Sequence, residues 1–282
     1  MRKLSGLINI ILILCMVMSA FAFMPADSFA AGIQKPGYIA HRGYSSRAPE
    51  NSLAALTLAA KDADFYGVEF DVWESTKEPE TNAPLLLVMH DDNIRRMCGV
   101  NRKVRSISRD DLDKYTVIAG KNASKYPDQK ILTADQAIAA IYENSNGAIP
   151  VIELKHRLSA RALNYLLDLV GGRPAVIISF SFNAVADTEK MARAKGMSDS
   201  ISTMYLRQKL SKKKYTATIR KMKAANIDCI SLNYKIISKK TVRKFHKAGI
   251  KICAWTLPNR KTARKYARMK VDYITANGKV VI

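Results

Sequence analysis

Cysteine is scarce, with four residues in 282. Cys15 falls in an apolar N-terminal leader, and Cys98, Cys229 and Cys253 are an odd number without metal-site spacing. No disulfide framework and no thiolate metal site is implied. Cys229 and Cys253 each sit in a short apolar stretch and read as small buried hydrophobes, with a single bridge between them left open. Glycine (13) and proline (9) are also few. With 48% hydrophobic and 25% charged residues, this excludes a collagen-like or disordered chain and leaves an ordinary globular one able to bury a core. Acidic side chains are outnumbered, 24 against 46 Lys and Arg, for a net charge of +22. Such a balance speaks about partners and not about fold. No nucleic-acid-binding motif is present, and nucleic acid is not an expected partner.

The chain has one long apolar run. Met1-Arg2-Lys3 supplies a positive start, Leu7 to Val17 an apolar centre, and Ser28-Phe29-Ala30 a small-x-small cleavage site. We read residues 1–30 as a signal peptide and expect an exported protein, secreted or held at the cell envelope, starting near Ala31. A cut after Ala22 and an uncleaved anchor are the alternatives, the run being short for a membrane span. Leu14 before Cys15 argues against lipid attachment. Losing Arg2, Lys3 and Asp27 with the leader leaves +21, so the basicity belongs to the mature chain.

From residue 31 to 282, short β-rich runs alternate with longer helical patterns, the signature of βαβ units in a single domain. Strands are expected at Tyr38–His41, Val68–Val72, Pro150–Leu154, Ala175–Ser179, Ser202–Leu206, Cys229–Leu232, Ile252–Thr256 and Asp272–Thr275. Helical patterns at Leu53–Ala63, Ala134–Glu143, Ser159–Val170, Ala184–Lys195, Tyr215–Ala225, Lys239–Ala248 and Lys261–Met269 follow the first seven. The fold class is α/β, a (β/α)8 TIM-type barrel. Leu85–His90 does not fit the count. It follows the second strand across ten residues with two prolines, too short for a helical crossover, so it must return antiparallel as a hairpin. Residues 92–132 then form a long polar excursion, an inserted subdomain over the site, before Thr133-Ala134-Asp135-Gln136 opens the next helix as a capping box.

Barrel enzymes build their sites at strand C-termini. His41-Arg42-Gly43, Glu69-Phe70-Asp71, His90-Asp91, Glu153-Leu154-Lys155 and Trp255 fall there. Residues two apart in a strand share a face, so Glu69 with Asp71 and Glu153 with Lys155 project as pairs. Three carboxylates without a Cys ligand favour one hard divalent cation, Ca2+ or Mg2+, and hence an anionic substrate. Arg42 and Lys155 would neutralise a phosphate. His41 and His90 make an acid/base pair, and the whole reads as metal-assisted phosphoester chemistry. Glu50-Asn51-Ser52 either opens the next helix with Ser52 as its N-cap or places Glu50 behind the site. Trp255 is either barrel packing or a substrate wall. His156 and His246 are assigned no chemistry.

The motifs Ile39-Ala40-His41-Arg42-Gly43, Ala48-Pro49-Glu50-Asn51-Ser52, Val68-Glu69-Phe70-Asp71-Val72, His90-Asp91 and Ile152-Glu153-Leu154-Lys155 resemble, in order, those of the glycerophosphodiester phosphodiesterase family. Ser179-Phe180, or alternatively Ser181-Phe182, and Trp255-Thr256 resemble two later elements. The resemblance implies a barrel with a small insertion after the His-Asp motif, a metal held by Glu69, Asp71 and Glu153, and catalysis by His41 and His90. It implies a small-molecule glycerophosphodiester substrate cleaved to sn-glycerol 3-phosphate and an alcohol, through a cyclic phosphate that water opens. One departure stands out: Ile274-Thr275-Ala276-Asn277 replaces a Thr-Asp element, so a carboxylate near the site is missing. Two other readings are a phospholipase D-like barrel enzyme forming cyclic phosphate from lysolipids, and an inactive polyanion-binding protein.

The charge is also one-sided. Between Arg207 and Lys270 stand twenty-one Lys or Arg and one acid, Asp228. In a barrel these residues fall on consecutive outer helices and merge into a basic flank. The expected consequence is electrostatic retention on an anionic membrane or a cell-wall polymer such as teichoic acid.

Overall fold

The computed structural model describes residues 35–77 and 83–282; the expected signal peptide lies outside them. Eight parallel strands close into a barrel: β1 (Gly37–Ala40), β2 (Gly67–Glu74), β4 (Ile149–Leu154), β5 (Ala175–Ser179), β6 (Ile201–Arg207), β7 (Cys229–Asn233), β8 (Lys251–Leu257) and β9 (Tyr273–Ala276). Closure comes where β1 pairs with β9 on one side and with β2 on the other, Ala40 opposite Val68. The short strand β3 (Leu86–Val88) runs antiparallel to the upper end of β2, with Val72 opposite Val88, as the short connection requires.

Seven helices fill the crossovers: α1 (Leu53–Ala60), α3 (Ala134–Asn144), α4 (Ala160–Val170), α5 (Phe182–Ala194), α6 (Tyr215–Ala224), α7 (Lys239–His246) and α8 (Arg260–Arg268), while a single turn, α2 (Arg95–Cys98), lies in the insertion. Their starts are written in the sequence. Ser52, Ser159, Ser181, Ser238 and Asn259 each accept a backbone N–H from the first turn, and Thr133 with Gln136 forms the expected capping box. On α4, Ala162, Leu163, Leu166, Leu167 and Val170 are buried at helical spacing, each large side chain contributing roughly 1.5–3 kcal/mol.

Alternation along the strands sorts residues between two cores. Val68, Phe70, Val72, Ile152 and Leu154 face the helices, whereas Val151, Val176, Ile178, Met204, Leu206, Cys229 and Cys253 fill the barrel interior. Glu69, Asp71 and Glu153 fall on the interior phase, at the end of the barrel where its apolar filling stops. All three cysteines after residue 34 are free and buried.

The insertion corrects one expectation. Residues 92–132 are not merely polar: Ile94, Met97, Cys98, Val104, Ile107, Tyr115, Val117 and Ile131 pack with Leu85, Leu87 and Met89 into a separate small core. The return arm serves both cores, because Leu86 and Val88, one residue out of phase, face the main one. Among the described residues no helix is long and apolar enough to cross a membrane.

Candidate active site

Glu69, Asp71 and Glu153 meet at the C-terminal rim. One oxygen from each lies within 4.8 Å of the others, and all three residues are buried. Two cations hold them. Lys155 Nζ donates to Glu153 Oε1 at 2.8 Å and to Asp71 Oδ1 at 3.1 Å, while Arg42 Nε stands 3.6 Å from Asp71 Oδ2. The Arg42 backbone, in the left-handed region at φ 56°, aims its N–H at Glu69 Oε2 across 2.7 Å. Gly43 follows at φ 73°, and a Cβ there would lie 2.6 Å from the Ala55 carbonyl carbon. Only glycine fits between the turn and α1.

Three negative charges in one buried space cannot all be comfortable. Burial, then the neighbouring Asp71 and Glu153, raise the Glu69 pKa well above the ordinary carboxylate range. Glu153 is raised by burial and by Asp71, with Lys155 opposing. Burial works against the Asp71 anion too, but Lys155 and Arg42 outweigh it and hold that pKa below its usual value. Burial likewise works against charge on Lys155, and Asp71 and Glu153 overcome it. Glu69 Oε1 is buried with no hydrogen-bond partner among the described residues. An orphaned carboxylate oxygen beside two further carboxylates is a hard, anionic oxygen donor set, and these residues fit a divalent cation.

Each histidine is oriented through Nδ1. His41, one residue beyond β1, hydrogen-bonds Asn277 Oδ1 at 2.7 Å. An amide oxygen can only accept, so His41 carries its proton on Nδ1 and leaves Nε2 as an acceptor. Burial, then the Arg42 charge, lower the His41 pKa to about 4. His90 Nδ1 instead meets the Asp91 carboxylate at 2.7 Å. Arg96 grips Asp91 through Nε at 2.6 Å, which with His90 keeps its pKa down at about 2. The Nη2 of Arg96 also donates to Glu50 Oε1 at 2.6 Å, and Glu50 accepts Arg42 Nη1 at 2.8 Å. A chain of ion pairs, Arg42–Glu50–Arg96–Asp91–His90, thus runs from the β1 rim into the insertion.

Both readings of Glu50-Asn51-Ser52 are realised: Ser52 caps α1 and Glu50 sits in the ion-pair chain. Trp255 lies near the C-terminal end of β8. It meets the exposed Phe180 edge-to-face at 5.5 Å, and its Nε1 is buried without a partner among the described residues. His156 accepts the Glu74 N–H, and His246 pairs with Asp272, both away from the site.

Three residues escaped sequence reasoning. Asn51 clamps Asp71 reciprocally, its amide donating to Oδ2 at 2.8 Å and accepting the Asp71 N–H at 3.2 Å. Arg96 had no motif to mark it. Asn277 was visible only as a carboxylate that is missing.

A model of the Glycerophosphoryl diester phosphodiesterase family matches residues 41–278. YhdW of Bacillus subtilis (strain 168), which carries the name of a glycerophosphodiester phosphodiesterase, is 29% identical over 247 residues, 85% of this chain and 93% of that protein. Human glycerophosphodiester phosphodiesterase 1 is 34% identical over 132 residues, 45% of this chain but only 38% of the human one. Among solved structures, an Oleispira antarctica phosphodiesterase in complex with the product sn-glycerol-3-phosphate superposes with a TM-score of 0.71 at 21% identity, covering 86% of this chain and 93% of that one. A Thermotoga maritima glycerophosphodiester phosphodiesterase gives 0.64 at 23% identity, covering 86% and 95%. These two likenesses speak for the fold alone. The family model spans nearly the whole described barrel, with His41 at its first position, and the chain belongs to the glycerophosphoryl diester phosphodiesterase family.

Proposed function

We propose that the protein hydrolyses glycerophosphodiesters to sn-glycerol 3-phosphate and an alcohol, with one divalent cation, Ca2+ or Mg2+, held by Glu69, Asp71 and Glu153, and with His41 and His90 as its proton-transfer pair. The observation that carries this reading is the convergence of three buried carboxylates with Arg42 and Lys155, beside two histidines each fixed through Nδ1. When bound, the cation supplies Lewis-acid stabilisation of charge on the phosphate.

The chain's own residues do the rest. Arg42 and Lys155 offer positive charge to the diester. His41, neutral near pH 7 with Nε2 free, takes the proton from the glycerol hydroxyl as that oxygen attacks phosphorus. His90, backed by the ionised Asp91, gives a proton from Nε2 to the departing alcohol as the P–O bond breaks. Water then opens the cyclic phosphate with the two roles exchanged, which restores both histidines. Trp255 and Phe180 form an aromatic wall on the rim that suits the carbon skeleton of the substrate.

The test is release of glycerol 3-phosphate from glycerophosphocholine by the mature chain with Ca2+, with Mg2+ and with chelator, beside His41→Ala and His90→Ala. The reading requires metal-dependent release lost in both variants. Release unaffected by chelator, or surviving either substitution, would overturn it. Phosphorus NMR separates a hydrolase from an enzyme that stops at cyclic phosphate. We also infer export, which N-terminal sequencing of the cell-associated and secreted protein would check.

A further inference from the structure

We propose that the flank built by α6, α7 and α8 is a docking surface for a linear, phosphate-backbone polyanion without bases, such as a polyol phosphate chain, seated in the clefts between these helices. The inference rests on the surface alone and stands or falls separately from the catalytic reading.

The first support is exposure. Of the twenty-one Lys and Arg between residues 207 and 270, all but Arg207 are exposed. The second is the absence of neutralisation. Several surface cations elsewhere are paired, as Lys103 with Asp92, Lys114 with Asp111, Arg157 with Asp187 and Lys279 with Asp62 are. Among the described residues, none of the twenty-one makes an ion pair with a carboxylate. The third is spacing. On α7 and its C-cap, Lys239 and Arg243, Lys240 and Lys244, and Arg243 and Lys247 stand four residues apart; on α8, Arg260 and Arg264, Lys261 and Lys265, and Arg264 and Arg268 do the same. Like charges at this spacing work against the helix that carries them. A surface that accumulates such repulsion is relieved when an anion comes down on it.

The shape favours a thread over a plane. Tyr215 ties α6 to α7, its ring 5.4 Å from Phe245 and its hydroxyl 3.2 Å from Thr241 Oγ1. Beside that contact lies a cleft of about 470 Å3, whose charged walls are Lys212, Lys240, Arg243, Lys244 and Lys247. A second, of about 570 Å3, lies between α7 and the end of α8 and shares Arg243 and Lys247 with the first. No carboxylate lines either one. A lipid surface would touch the ridges and leave the clefts empty, and no large apolar side chain is exposed on this flank to enter a bilayer. Nucleic acid fits less well, because Tyr215 and Tyr266 are buried and offer no face on which bases could stack.

The experiment measures binding of the full chain to fluorescent poly(glycerol phosphate) by anisotropy, from 50 to 200 mM NaCl. Single-stranded DNA of equal phosphate number and vesicles of 30% phosphatidylglycerol in phosphatidylcholine are run in parallel. Lys240→Glu, Arg243→Glu, Lys244→Glu and Lys247→Glu are combined in one variant. A charge-matched control combines Lys61→Glu, Lys121→Glu, Lys125→Glu and Lys190→Glu. We expect affinity for the polymer to fall at least ~10-fold across the salt range and ~100-fold in the flank variant, with the control within ~3-fold of wild type. The far-UV circular dichroism and melting point of the flank variant should match wild type, which shows that it is folded. Equal loss in both variants, or salt-independent binding, would overturn the proposal. Tighter binding to DNA or to vesicles than to the polymer would replace it with a nucleic-acid or a membrane surface.

Discussion

Replacing Asn277 by Asp moves the acid limb of the pH profile, and the geometry says by how much. The Asn277 oxygen lies 2.7 Å from His41 Nδ1, so an isosteric carboxylate puts a negative charge about 4 Å from the imidazolium centre. At an effective dielectric constant of about 20, that is worth ~4 kcal/mol. Residue 277 is exposed, and water and salt reduce the figure to about 1.5–2.5 kcal/mol. With 1.36 kcal/mol per pH unit, the His41 pKa rises by roughly one to two units. It starts at about 4, held down by burial and by Arg42. In wild type the histidine is therefore neutral well below pH 6, whereas in Asn277→Asp it takes up a proton near pH 5 to 6. A base must be neutral to act. The variant should match or exceed wild type at pH 7.5, where the carboxylate strengthens the base, and lose several-fold in kcat/KM at pH 5. The assay is kcat/KM for glycerophosphocholine from pH 4 to 9, with the His41 ring nitrogens followed by NMR over the same range. Asn277→Ala is the control: it removes the acceptor, lowers kcat and moves the limb upward not at all. An acid limb in Asn277→Asp within about 0.3 units of wild type would refute the argument, because the residue would then have no electrical hold on His41.

Three further outcomes follow from the same geometry. Arg96→Met frees Asp91 and with it His90, and should lower kcat ~10-fold with KM within ~2-fold, Arg96→Lys recovering part of the loss; steady-state kinetics decide it. Gly43→Ala places a Cβ 2.6 Å from the Ala55 carbonyl carbon at φ 73°, costing roughly 2–4 kcal/mol. Calorimetry should show a melting point lower by about 4–16 °C. In chelator, Glu69 keeps a proton that the unfolded chain has given up between the ordinary glutamate pKa and its raised native one, so it stabilises the fold at low pH and ceases to do so as pH rises through that native pKa. The melting-point difference between Glu69→Gln and wild type should therefore grow in the variant's favour toward neutral pH, and saturating Ca2+ should raise the wild type alone, by ~3 kcal/mol at a hundred times the dissociation constant.

What could be read from the chain alone follows strand periodicity. Two-residue spacing put Glu69 with Asp71 on one face and carried Glu153 to the same end, and the register Asp71 opposite Glu153 makes them neighbours. The antiparallel return of Leu86–Val88 followed from a connection too short to cross over. The contacts that escaped join residues far apart in sequence, just beyond strand ends, in a loop and on the single turn α2. His41 and Asn277 are separated by 236 positions, and Arg96 and Glu50 by 46. Periodicity carries no information about where two loops meet, and a residue type without a motif is silent until its partner is known. The core of the insertion was hidden for a related reason. Its apolar residues keep no single period along the segment, and they are satisfied by Leu85, Leu87 and Met89, the second face of an arm whose first face already has a core to fill.

The two histidines are anchored by groups of different charge, and this gives the site a direction. An amide oxygen behind His41 fixes its tautomer, and its pull toward the protonated form is outweighed by burial and by Arg42. Behind His90 stands a carboxylate instead, and Arg96 keeps it ionised and in place. On the proposed mechanism the acceptor stands on the β1 side and the donor on the insertion side. The donor half depends on the insertion, because Arg96 comes from α2, and α2 is held by Ile94, Met97 and Cys98 in the insertion's own small core. Loosening that small core, as Ile107→Ala would, should thus act on protonation of the leaving alcohol before it acts on stability of the barrel. Substrates with a poor leaving group, which need the proton most, should suffer more than an activated aryl diester that leaves without one. Equal loss on both would mean that the insertion serves the site only as a wall.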